Sequence, residues 1–298
     1  MRNLMKILVL GDLHGQIPKI HFKKFDAIIC TGDVCASKYI LKYFRISYKQ
    51  FLLNPINYQS WYDITGKSKA KKLVKKSLLA GRRVLMSLNA LNVPVYLIPG
   101  NWDFVNDGEE DEWKYLNKNY YKEYLIKELK NIHDCHEKSV MIKDGQSKYA
   151  VIGYGLVNGP ELLKYRHYDN ISKSKYKKNF NNYNKLMVKY NKLFRKAKSR
   201  QNPLLFLSHN VPFNTKLDRI VNKESVMNGF HYGSNLARDM ILKHKPLLCI
   251  SGHMHEHYGT CRLGRTTILN AGFGKNNNTL IELQDGKIKS IKLHGKKK

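Results

Sequence analysis

Five short blocks of this chain share one design. LVLGDLHG, IICTGDV, LIPGNWD, LFLSHN and CISGHMH each run a Leu/Ile-rich or β-branched stretch into a Gly- or Ser-containing turn that carries polar residues. Short continuous apolar runs bounded by turn residues read as strands buried on both faces. The polar residues at their ends are Asp12 and His14, Asp33, Asn101, His209, and His253 with His255. Gly11, Gly15, Gly32, Gly100 and Gly252 stand beside them, where a Cβ would hinder a tight turn or the close approach of backbone to an anion.

Carboxylate oxygen, imidazole nitrogen and amide oxygen together make a mixed hard and borderline donor set. Such a set suits Mn²⁺, Fe, Zn²⁺, Co²⁺ or Ni²⁺ better than Mg²⁺ or Cu, and Mn²⁺ is taken first. A lone Asp-x-His or Gly-Asp is weak evidence, but five such blocks in one order point to a two-metal centre for phosphoester chemistry. One carboxylate must then bridge, because cations roughly 3.5–4 Å apart can clamp both the attacking and the leaving oxygen.

The blocks match the pattern D-x-H, G-D, G-N-x-[D/E], isolated His and G-H-x-H, so the chain resembles the calcineurin-like metallophosphoesterases along essentially its whole length. The wording SHNVPFNTKLDRI, GFHYGSNLARDMI and KPLLCISGHMHEHYGTCRLGRTTILNAGFG is similar to the archaeal and bacterial branch related to cyclic-nucleotide phosphodiesterases. The resemblance implies a single domain over 1–298, an α/β fold built as a four-layer α/β/β/α sandwich, with the site at the strand ends. It implies two divalent metal ions: one held by Asp12, His14, Asp33 and His255, the other by Asp33, Asn101, His209 and His253. Asp33 is then the bridge. Phosphodiester hydrolysis by a metal-bridging hydroxide is the expected reaction; a phosphomonoesterase, a nuclease and a non-catalytic binding module on the same scaffold are the alternatives.

Trp102 departs from the pattern, since many members carry a histidine after the Asn ligand. An indole N–H donates but does not titrate, so Trp102 can contact a phosphate or stack on a base and cannot act as general acid. The proton then comes from elsewhere. His231 in GFHYGS is the candidate, with Lys216 and Arg238 behind it, while His133, His136, His167 and His257 are less well placed. The expected catalytic set is therefore Asp33, Asn101 and His231, and the expected substrate contacts are Trp102, His231 and Lys216. Asp103 is expected to orient its neighbours rather than touch substrate.

Between the blocks lie two basic stretches, expected as helical insertions. Residues 37–83 hold 12 basic residues and a single acid, Asp63, and Leu73, Ser77, Leu78, Val84, Leu85 and Leu88 follow the spacing of an amphipathic helix that covers the sheet. Residues 161–200 hold 13 basic residues and two acids with aromatics interleaved, which reads as a helical hairpin packed on the body, or as a basic arm over the site. With 53 Lys and Arg against 23 Asp and Glu, the net charge of +30 makes nucleic acid a candidate partner besides the phosphoester substrate.

TLIELQDGKIKSIKL reads as a terminal hairpin turning at Asp285-Gly286. Five cysteines without a CxxC pair argue against a disulfide framework or zinc knuckle and fit a reducing cytoplasm. No stretch reaches the roughly 18 apolar residues of a membrane span. Oligomeric state is left open.

Overall fold

The computed structural model describes residues 4–54, 57–104, 119–145, 147–162, 173–223, 225 and 227–295. Its elements are β1 (Met5–Leu10), β2 (Ala27–Cys30), α1 (Leu41–Leu53), α2 (Trp61–Thr65), α3 (Lys67–Asn89), β3 (Val95–Leu97), β4 (Ile132–Asp134), β5 (Ser139–Asp144), β6 (Ser147–Tyr154), α4 (Lys173–Lys198), β7 (Leu204–Asn210), α5 (Asn235–His244), β8 (Leu248–Gly252), β9 (Gly259–Leu263), β10 (Thr266–Asn270), β11 (Asn278–Gln284) and β12 (Lys287–His294). The strands form two six-stranded mixed sheets, in the orders β12-β11-β1-β2-β3-β4 and β5-β6-β7-β8-β10-β9. Within the first sheet β1 to β4 run parallel, and in the second β6, β7, β8 and β10 do. All five ligand-bearing strand ends therefore point the same way within their sheets.

Successive side chains of a strand face opposite sides, and each central strand here buries both. Ile7 and Val9 of β1 and Ile29 of β2 meet Val151, Leu205, Leu207, Leu248 and Ile250 between the sheets. Leu8, Leu10, Ile28 and Cys30 point outward to Val74, Leu78, Val84, Leu85 and Leu88 of α3. On the other outer face Ile152, Phe206 and Cys249 pack against Tyr183, Tyr190 and Phe194 of α4 and Leu236, Met240 and Ile241 of α5. The order helix, sheet, sheet, helix is the expected four-layer sandwich. Among the described residues no helix is long and apolar enough to cross a membrane.

The terminal hairpin forms as expected, with φ of 50° at Asp285 and 71° at Gly286, as a type I′ turn requires. Of the 161–200 stretch expected as a helical hairpin, 163–172 lie outside the described residues and Lys173–Lys198 form one continuous helix, α4. The reason is local: KSKYKKNFNNYNKLMVKYNKLFRKAK contains neither Gly nor Pro to break it. Tyr190 donates to the Gly153 carbonyl at 3.1 Å and Tyr183 donates to Asp239, so part of the aromatic content fastens the helix to β6 and α5. His167, in the 163–172 segment, is likewise outside the described residues.

Candidate metal centre

Each ligand-bearing turn bends the chain sharply as it leaves its strand. Asp12, His14, Asp33 and His253 all take positive φ, from 40° to 64°. Non-glycine residues adopt this left-handed conformation only at a cost, and the surrounding contacts hold it here. The His14 and Gly15 amides donate to the carbonyls of Asp33 and Val34, both at 2.8 Å, which locks the first two turns together. The His253 amide donates to Asp12 Oδ2 at 2.6 Å, tying the last turn to the first across the sheets. A Cβ on Gly252 would stand 2.5 Å from that same Asp12 oxygen, so only glycine leaves the carboxylate room.

The seven polar residues converge into two groups. Asp12, His14 and His255 present ligand atoms within 4.8 Å of one another, and so do Asp33, His209 and His253. Asn101 joins the second group, its Oδ1 lying 2.9 Å from His209 Nε2 and 3.1 Å from His253 Nδ1. Asp33 Oδ2 faces both groups, 3.5 Å from His14 Nε2 and 3.7 Å from His209 Nε2. Its other oxygen accepts from the Trp102 amide at 2.8 Å. His14 Nε2 and His255 Nε2 stand 3.2 Å apart.

The donor set fits divalent cations. Asp12 Oδ1 is buried and finds no hydrogen-bond partner, which burial penalises unless a positive ion meets it. Burial first, and then the neighbouring Asp33 charge, raise the Asp12 pKa well above the usual carboxylate range. Burial also pushes Asp33 up to about 7, and burial followed by the Asp33 charge does the same to Asp103. The imidazoles move the opposite way: burial lowers His209 to about 4 and His253 to about 3, keeping both rings neutral and able to donate a lone pair. His209 Nδ1 lies 2.8 Å from the Thr31 carbonyl, which requires a proton on Nδ1 and leaves Nε2 bare toward the centre.

The flanks are aromatic. Phe273 packs against His255 at 4.3 Å and His14 at 5.4 Å between ring centroids. Trp102 meets Phe44 of α1 edge-on at 5.7 Å. Asp103 accepts from the Gly100 amide at 2.8 Å and the Cys35 amide at 3.0 Å, joining the turns after β3 and β2.

The remaining candidates have partners of their own. His231 stands 2.7 Å from Asp218 through Nδ1, and its ring meets Phe213. Asp218 is fully buried and also accepts from the amides of Asn214, Thr215 and Gly233, at 2.8, 2.8 and 3.1 Å. Lys216 is exposed on the same loop, and Arg238 is spent on the carbonyls of Phe213 and Asn214. His133 packs on Tyr96, His136 Nδ1 accepts from the Gly155 amide, and His257 contacts the Arg219 carbonyl. Thr31, Asp218, Phe273 and Phe44 were not singled out as site residues from sequence. No local pattern marked any of them.

A four-layer sandwich with two clusters of His and acidic or amide ligands at its strand ends defines a metal-dependent hydrolase. The chain belongs to the calcineurin-like phosphoesterase family, whose model matches residues 5–257, and it is a hydrolase acting on phosphate esters. That family depends on a dinuclear metal centre. One solved structure covers 98% of both chains at 16% identity with a TM-score of 0.57, a likeness of fold. A Thermus thermophilus protein, TT1561, covers 97% of this chain and 99% of its own at 15% identity (TM-score 0.44), and a dimetal phosphatase from Danio rerio covers 97% and 98% at 10% identity (TM-score 0.46). A comparison with curated protein sequences finds no match.

Proposed function

We propose that the chain hydrolyses phosphodiester bonds with two divalent cations, Mn²⁺ first among Mn²⁺, Fe, Zn²⁺, Co²⁺ and Ni²⁺. Asp12, His14 and His255 would hold one cation, and Asn101, His209 and His253 the other, with Asp33 shared. The observation that carries this reading is the placement of Asp33 Oδ2 between His14 Nε2 and His209 Nε2. A bound pair supplies water of lowered pKa and neutralises charge growing on the phosphate oxygens.

The protein's own residues orient and protonate. The Thr31 carbonyl fixes the His209 tautomer, and the Trp102 amide holds Asp33 so that one oxygen stays directed at both groups. Trp102 and Phe273 provide neutral aromatic flanks, which suit a monoanionic diester with two organic substituents better than a dianionic monoester. His231 is our candidate proton donor: Asp218 holds Nδ1, and the side chain is 34% exposed.

The test compares bis(p-nitrophenyl) phosphate with p-nitrophenyl phosphate on Mn²⁺-reconstituted protein. Faster diester cleavage that Asp33→Asn abolishes is expected; faster monoester cleavage would make the chain a phosphomonoesterase. His231→Asn is expected to slow esters with alkyl leaving groups by about 10²–10⁴-fold and p-nitrophenyl esters far less, because only the poor leaving group needs a proton. Equal losses on both would remove His231 from that role.

A further inference from the structure

The ring of Trp102 does not end the aromatic surface beside the metal centre. Phe44 stands 5.7 Å from it, Tyr48 lies 6.5 Å from Phe44 with planes 4° apart, Phe51 follows at 6.3 Å and 20°, and Tyr58 at 5.1 Å. Five rings thus form a continuous row from the residue after Asn101 out along α1. Phe44, Tyr48 and Tyr58 remain 38%, 40% and 45% exposed. Positions 44, 48 and 51 share one helical face because four- and seven-residue steps return to nearly the same direction.

The cations of α1 fall beside that row. At about 100° per residue, Arg45 and Lys49 occupy a neighbouring arc, and both are exposed, whereas the Lys42 ammonium turns away over the Tyr43 ring at 4.8 Å. LKYFRISYKQFLL contains no acid. Leu52, also exposed, extends the ring face, and Arg45 and Lys49 separate that face from the exposed Ile46 and Leu53, so the exposed apolar side chains are split rather than gathered into the one face that seats a helix in a membrane surface. A row of rings beside a row of cations is instead the arrangement on which a single strand lays its bases and its phosphates.

We propose that the Trp102–Phe44–Tyr48–Phe51–Tyr58 row, with Arg45 and Lys49 beside it, is a docking strip for single-stranded nucleic acid. The strip delivers that strand to the metal centre. This rests on the phosphodiesterase reading above for what happens at the centre, but the strip is a binding surface that can be measured without cleavage. Each ring offers a sequence-tolerant stacking site, so the strip selects unpaired strands without reading their sequence.

The experiment follows the fluorescence anisotropy of a labelled phosphorothioate oligothymidylate with the Mn²⁺-loaded full-length protein. Tyr48→Ala is expected to weaken binding by about tenfold or more, and Tyr48→Phe, which keeps the ring, to retain it. With two phosphate contacts the log–log dependence on salt has a slope of about −1.4, and Lys49→Gln reduces it by about 0.7. Unchanged affinity in Tyr48→Ala, or an unchanged slope in Lys49→Gln, overturns the strip. So does binding to vesicles of phosphatidylglycerol and phosphatidylcholine that Leu53→Ala abolishes while the oligonucleotide fails to bind, since α1 would then face lipid. Hydrolysis of bis(p-nitrophenyl) phosphate on the same preparation reads the metal centre separately: its absence counts against the phosphodiesterase reading, and the anisotropy still decides the strip.

Discussion

Replacing the residue most central to the metal site should make the metal-free protein more stable. Asp33, Asp12 and Asp103 are buried carboxyls; the Asp33 charge adds to the burial that raises Asp12 and Asp103, and burial displaces Asp33 from 3.8 to about 7. A carboxyl whose folded pKa exceeds its unfolded value holds its proton longer in the folded state. Without metal, therefore, stability is highest below about pH 4 for this group and is lost as pH rises toward 7. At about 1.4 kcal/mol per pKa unit the ceiling on that loss is about 4 kcal/mol, and relaxation of the site brings about 2 kcal/mol into view. Asp33→Asn removes the charge while its amide oxygen still accepts from the Trp102 amide. In EDTA at pH 8 the variant should melt about 4–8 °C above the wild type, at about 2–4 °C per kcal/mol. Saturating Mn²⁺ reverses the order: at a thousandfold excess over its dissociation constant it adds about 4 kcal/mol to the wild type, and much less to a variant lacking the shared carboxylate. Differential scanning fluorimetry with and without Mn²⁺ measures both arms. A lower melting temperature for Asp33→Asn in EDTA, or a full Mn²⁺ response from it, would refute the argument.

Two other perturbations probe how the site is held. Gly32→Ala sets a Cβ against the backbone of Gly100 at a φ of 100°, so it should prevent folding or Mn²⁺ uptake by circular dichroism and metal analysis, whereas Gly66→Ala, with nothing within 4 Å, carries only the backbone strain of φ 74° and ψ 152° and should fold at a cost of about 1–3 kcal/mol. His244 is 5% exposed, stacks on Phe194 at 4.6 Å and pairs with Asn191 at 2.8 Å, and burial lowers its pKa to about 4. Because its folded pKa lies below 6.5, the unfolded chain takes up the proton first. Stability should then fall by at most about 3 kcal/mol as pH drops from 6.5 to 4, and urea titrations of His244→Gln should show a flatter profile over that range.

The long-range architecture was legible where the sequence repeats a strong local signal. Strand runs such as LVLG and CISG need both faces buried, and the Leu and Val spacing of α3 follows from helical pitch, so their partners could be inferred before they were seen. The Asp285-Gly286 turn is equally local. Over Lys173–Lys198 a run without Gly or Pro forms one helix, α4, and its basic and aromatic content alone does not show which side chains face β6 and α5. Asp218, Thr31 and the ring row on α1 were invisible for a different reason. Each acts through a partner distant in sequence: Thr31 on His209, Asp218 on His231, Phe44 on Trp102.

The sequence by itself determined which atoms can bind metal and the order in which strands deliver them, because ligand chemistry and strand-to-turn patterning are properties of consecutive residues. Only the tertiary structure decided how those atoms share space. Asp33 gains one oxygen facing both groups because the Trp102 amide claims the other, and Trp102 becomes the inner end of an aromatic row because α1 folds back beside it. Both depend on elements packed together from separate parts of the chain, where burial and mutual distance, absent from any local pattern, set the chemistry.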